Sequence, residues 1–282
     1  MHPVIDAHIH VQPSGMLRPE VRSFWLQQLD TTGLEAIAGN PSVLLRRMDA
    51  EGIERAGLIS YVSPDVMGFT DELTAWVAAY ASADPSRLIA FGSVNPRFTD
   101  NVADALERAV QAGIRALKLH PPHQLFAANA YLDTFPALAR VYERAQSAGI
   151  PVTVHTGTSN FPGARNRFAA PMPVDDVAVD FPRLTILLAH GGRPVYMEEA
   201  FFLVRRHPNV HLELSGIPPM KLLHYFPRLE EIADKAVWGT DWPSPGVHSM
   251  AQNVDTFLKL PLTDLAKKKI LYDNARRIFV RR

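Results

Sequence analysis

The sequence predicts a closed α/β fold, a (β/α)8 or TIM barrel with a C-terminal capping helix. Three observations predict it. Eight short runs rich in branched aliphatics recur along the chain, helical stretches separate them, and the 282 residues show no linker or low-complexity tract. Repeated strand-then-helix order argues for a parallel sheet, and eight such units argue for closure. Residues 1–282 are therefore read as a single domain. The alternative, an open doubly wound sheet, lacks the glycine-rich phosphate loop expected after its first strand.

The runs fall at 4–10, 56–62, 88–94, 114–120, 151–156, 184–190, 210–215 and 236–241. The first begins at Val4 and ends in "IDAHIH". The helical segments between them carry start and stop signals. "PSVLLRRMDAEG" has Pro41 at its start and Gly52 as its stop, and "TDNVADALERAVQAG" has Thr99 or Asp100 as cap and Gly113 as end. "TFPALARVYERAQSAG" runs from a capping Thr134 to Gly149. The tail, "TDLAKKKILYDNARRIFVRR", reads as the capping helix with a basic, solvated face.

Composition bounds the chemistry. Lys plus Arg and Asp plus Glu balance at 29 each, so no global field recruits nucleic acid or an anionic membrane. With no cysteine, disulfides, thiolate catalysis and zinc–thiolate sites are excluded. The start shows no basic segment followed by an apolar one, and no apolar run reaches membrane-spanning length, so a cytoplasmic location is expected.

Polar residues gather where the apolar runs stop. His8 and His10 close the first run, His120 the fourth, His155 the fifth, His190 the sixth and Asp241 the eighth. In a closed parallel barrel these positions converge on one rim, where active sites of this architecture lie. Residues two apart on a strand point to the same side, which pairs His8 with His10. Several imidazoles and one carboxylate are a ligand set for a divalent transition metal, whereas calcium or magnesium would need more oxygen ligands. Zn2+ is the ion expected, with manganese, iron and cobalt as alternatives. Such an ion lowers the pKa of a bound water to about 7 and polarises a substrate oxygen.

At these residues the sequence resembles the amidohydrolase superfamily, in its amidohydrolase-2 branch, which includes aminocarboxymuconate-semialdehyde decarboxylase and its relatives. The resemblance runs from "IDAHIH" through "VTVHTG" and "LLAHGGRP" to "WGTDWPSP". It implies that His8, His10, His155 and Asp241 bind the metal, that Asp241 also takes or relays a proton from water, and that His190 is the acid/base group. Two-metal members carry a carboxylated lysine on strand four. Lys118 occupies that strand here, read as a cation that grips an acidic substrate, with a bridge to a second ion as the alternative. His120 is expected to meet substrate. Asp6 is expected on the same side as His8 and His10, one step deeper, as a structural partner.

The loops after the strands should select the substrate. Arg165, Arg167 and Arg193 suit a planar carboxylate, and Trp242 could wall the pocket. His2, His207, His211, His224 and His248 are read as surface or loop residues. The function expected is metal-dependent hydrolysis of an amide, lactone or other ester bond in a small carboxylate-bearing substrate. The alternative is non-oxidative decarboxylation, or hydration, of an unsaturated or aromatic acid. The partner is thus a small molecule, and a homodimer is the assembly to test, since such barrels often pair.

Overall fold

The computed structural model describes residues 3–27 and 33–280, so His2 lies outside the described residues. Seven of the eight runs contain a strand and the second overlaps one that starts a residue earlier: β1 Ile5–Ile9, β2 Arg55–Leu58, β3 Leu88–Gly92, β4 Ala116–Leu119, β5 Val152–His155, β6 Ile186–Ala189, β7 Val210–Glu213 and β8 Ala236–Val237. Each pairs in parallel with the next, in strict chain order. The ring is drawn shut by backbone hydrogen bonds between β1 and the segment after β8. The Ala7 amide donates to the Trp238 carbonyl (3.0 Å), Asp241 to His8 (2.8 Å) and His10 to Trp242 (2.6 Å). These bonds also bring Asp241 beside the two strand-one histidines.

Two apolar clusters hold the barrel. One lies mainly between strands and outer helices, and the other contains Ile5, Ala7, Ile89, Phe91, Ala116, Leu187 and Val237 from the strands. The C-terminal capping segment joins the second cluster through Ala275 and Phe279, whose ring lies 5.4 Å from that of Phe91. It runs as Asp264–Lys268, a five-residue π-helical turn Lys269–Asp273, and Asn274–Phe279.

The helices keep the expected stops, and two of the three shift their starts. Pro41–Ala50 begins at its proline, with Asn40 accepting from the Ser42 amide. Val102–Gln111 is capped by Asn101, which accepts from the Asp104 amide at 3.2 Å, rather than by Thr99 or Asp100. Thr99 instead bonds to Asp71. Ala137–Ala148 starts after Pro136 with no side-chain cap, so Thr134 does not serve. It ends at Gly149, whose φ of 62° is the left-handed closing conformation.

Candidate metal centre

The strand ends meet around a cavity of about 390 Å3 at one mouth of the barrel. His8, His10, Lys118, His120, His155, His190, Arg193 and Asp241 line it, with Trp25, Tyr61 and Phe161 among the aromatic walls. His190 and Asp241 both leave their strands with left-handed backbones, at φ 66° and 68°. Such conformations cost a non-glycine residue on the order of 1–3 kcal/mol and persist only where surrounding structure holds them. Here they are held at the two positions proposed for proton transfer.

His8 is completely buried and fixed from behind. Its Nδ1 donates to Glu213 Oε2 at 2.7 Å, leaving the lone pair on Nε2. That Nε2 lies 3.4 Å from Asp241 Oδ1 and has no hydrogen-bond partner among the described residues. Two electron-pair acceptors face each other there, an arrangement that a shared cation relieves. His10 Nε2 approaches the same Asp241 oxygen at 3.1 Å. Burial works to raise the Asp241 carboxyl, but the His10 hydrogen bond and the electrostatic pull of the neighbouring His8, His10 and Arg193 side chains hold it well below the usual carboxylate range.

His190 has the same kind of anchor. Its Nδ1 lies 2.9 Å from the Ser215 carbonyl, so Nδ1 carries the hydrogen and Nε2 the lone pair. Burial and the Arg193 charge push its pKa well down, so the ring is neutral. His8, His190 and Asp241 can each present one ligand atom within 4.8 Å of the others. These three, with His10 bonded to Asp241, have the chemistry a divalent ion requires. His155 stands at the edge of this group. Its ring centre is 4.6 Å from that of His190, and its Nε2 is 3.2 Å from the Gly157 carbonyl.

Strand four supplies a different set. Lys118 is 1% exposed, and its Nζ has no hydrogen-bond partner among the described residues. Burial pushes its ammonium down to about 8, despite attraction from Glu213 and Asp241. His120 is stacked between His123 and His155, 3.7 Å from each. His123 is held by the Tyr61 hydroxyl at 3.0 Å and Ser159 Oγ at 2.7 Å. Burial pushes His123 down to about 3 and His120 and His155 well below normal, so neutral rings stack without charge repulsion.

Other predicted residues lie elsewhere. Arg165 and Arg167 are exposed and outside the cavity wall, the latter lying over the Phe168 ring. Trp242 is buried behind the mouth, bridging to Ile9 and covered by the Arg47 guanidinium. Arg193 does reach the cavity, with Nη2 3.9 Å from Asp241 Oδ2. Asp6 lies outside the cavity wall, in the structural place expected one step deeper. Its carboxylate accepts from the Thr240 amide and hydroxyl at 2.9 and 2.6 Å and from the His8 amide at 3.2 Å. The β1–β2 register shifts between Asp6 and Ile9, which breaks the simple alternation. Burial pushes Asp6 up to about 7. His207 and His211 are buried rather than superficial, His207 pairing with Asp175 at 2.6 Å, while His224 and His248 are exposed. Glu213, Ser215 and Tyr61 were missed. The signal for Glu213 was a lone acid inside the apolar run "VHLELS".

The model of the family described as amidohydrolase matches residues 5–281. No curated protein matches in sequence. Among solved structures, an uncharacterized TIM-barrel protein from Bordetella bronchiseptica is 25% identical, with 98% of each chain covered and a TM-score of 0.75. A 5-carboxyvanillate decarboxylase from Sphingomonas paucimobilis is 19% identical over 99% of both chains, with a TM-score of 0.66. Another 5-carboxyvanillate decarboxylase, from Novosphingobium aromaticivorans, is described in complex with manganese and 4-hydroxy-3-methoxy-5-nitrobenzoic acid. It is 15% identical over 99% of this chain and 96% of that one, with a TM-score of 0.70. The two decarboxylase likenesses are likenesses of fold.

Proposed function

The chain belongs to the amidohydrolase family, and on that premise we propose that it is a metal-dependent hydrolase. Its substrate is a small carboxylate-bearing molecule with an amide, lactone or other ester bond. One observation carries the reading: Asp241 and His190 stand beside His8 in their base forms, a carboxylate and a neutral imidazole with a free Nε2. Base forms suit removal of a proton from water, the first need of hydrolysis.

His8, His10, His155 and Asp241 are the residues proposed to hold the ion, with His155 exchanging its Gly157 contact for it, and Zn2+ is the ion proposed. When bound, the ion supplies Lewis acidity for water and carbonyl alike. Asp241 accepts the proton from the attacking water at its carboxylate. His190, neutral with its lone pair on Nε2, takes that proton over from Asp241 and passes it to the leaving group, its orientation fixed through Nδ1. Lys118 Nζ and Arg193 Nε, without a hydrogen-bond partner among the described residues, face the cavity and bind the substrate carboxylate. Tyr61, Trp25 and Phe161 exclude water around a flat substrate.

A second reading is non-oxidative decarboxylation of an aromatic or unsaturated acid. Lys118 favours it, because an ammonium with a pKa of about 8 retains a proton to deliver at neutral pH. Solved structures named as decarboxylases of aromatic acids share the fold. A panel of lactones, amides and aromatic acids decides between the readings. Hydrolysis of an ester or amide without carbon dioxide release is expected. Carbon dioxide from an acid, with every ester and amide untouched, overturns the first reading in favour of the second.

A further inference from the structure

Glu213 has no part in the proton transfers above, yet it sits 1% exposed at the end of β7 with both oxygens committed. Oε2 accepts from His8 Nδ1 at 2.7 Å and from the Ser215 hydroxyl at 2.9 Å. Oε1 accepts from the Ser215 amide at 2.7 Å. The hydrogens can be counted. A carboxylate only accepts, so His8 must carry its hydrogen on Nδ1. The Ser215 hydroxyl has one hydrogen, spent on Glu213, so its oxygen can only accept from His190 Nδ1, 3.0 Å away. The Ser215 carbonyl accepts from the same nitrogen at 2.9 Å. One carboxylate thereby sets both imidazoles, His8 directly and His190 through one residue.

The packing admits this arrangement through Gly239. A Cβ there would lie 2.5 Å from Glu213 Oε1 and 2.8 Å from His8 Cβ, so any larger residue would wedge the pair apart.

We propose that Glu213 is the positioning residue of the metal centre, holding His8 and His190 in the tautomer that turns both Nε2 lone pairs toward Asp241. The inference rests on reading the barrel mouth as a metal centre, but its structural half can be tested without metal.

Glu213→Gln keeps the shape and replaces one acceptor by a donor. The amide must then oppose either the Ser215 amide or His8 Nδ1, so one of those bonds is lost. Two readouts on the metal-free protein test this. Long-range 1H–15N spectra of the histidine rings should show His8 and His190 as Nδ1–H in wild type, and a changed His8 or Ser215 signal in the variant. Competition of Zn2+ or Mn2+ against a chelating dye should show binding about 10–100-fold weaker in the variant. A Glu213 that only stabilised the fold would lower the melting temperature and leave ion affinity unchanged. That result, or wild-type His8 protonated on Nε2, overturns the proposal, and the wild-type spectrum decides even if the variant fails to fold. Should wild type bind no divalent ion, the metal reading falls while the tautomers still judge the role of Glu213.

Discussion

Replacing Lys118 with methionine should make the protein more stable and less able to hold its substrate. Lys118 is buried, its Nζ has no hydrogen-bond partner among the described residues, and burial pushes its pKa down to about 8 from an ordinary 10.5. Each unit of difference corresponds to about 1.4 kcal/mol, so keeping the ammonium charged costs the folded state about 3 kcal/mol. Methionine has similar length and no charge. Below pH 8 both folded and unfolded wild type are protonated at this lysine, and the full cost is present. Between 8 and 10.5 the unfolded chain binds the proton and the folded one has released it, so wild-type stability rises with pH through that window. Lys118→Met should therefore exceed wild type by about 3 kcal/mol at pH 7, with the gap closing towards pH 10.5. Denaturant unfolding of metal-free protein at pH 7 and pH 10 measures both ends. In the same variant, KM for an anionic substrate should rise more than kcat falls. A variant no more stable than wild type, or a gap that ignores pH, refutes the reasoning.

Asp241→Asn should lower kcat by about 10^2–10^4-fold while circular dichroism stays near wild type. Asparagine tolerates the left-handed backbone that Asp241 adopts. His155→Ala and His190→Ala should part company. Equilibrium dialysis should find weakened ion binding in the first and retained binding with lost turnover in the second, and the reverse result would exchange their roles. Gly239→Ala should cost about 1–3 kcal/mol in unfolding free energy from overpacking and weaken the ion by displacing Glu213. Unchanged stability and affinity there would show that Glu213 has room to move.

What could be read along the chain was what local pattern encodes. Eight strands followed from aliphatic runs, and the mouth from where those runs ended in His8, His10, His155, His190 and Asp241. Contacts made across the barrel left little trace. Glu213 meets His8 over a separation of 205 residues, and its one trace in the chain is an acid inside an apolar run. Asp6 holds the structural place expected of it, tying β1 to the segment after β8 through Thr240. Arg165 and Arg167 had the right chemistry beside the right strand, but loop geometry, which residue type does not encode, turned them to solvent. The helix caps moved by one or two residues because Asn101 satisfies the helix amides while Thr99 is spent on Asp71.

Anomalous diffraction at the absorption edge of a soaked divalent ion tests the central claim most directly. The account predicts one strong peak per chain, within about 2.0–2.2 Å of His8 Nε2 and an Asp241 oxygen. A protein that takes up no ion there, or one that binds it away from both residues, would contradict it.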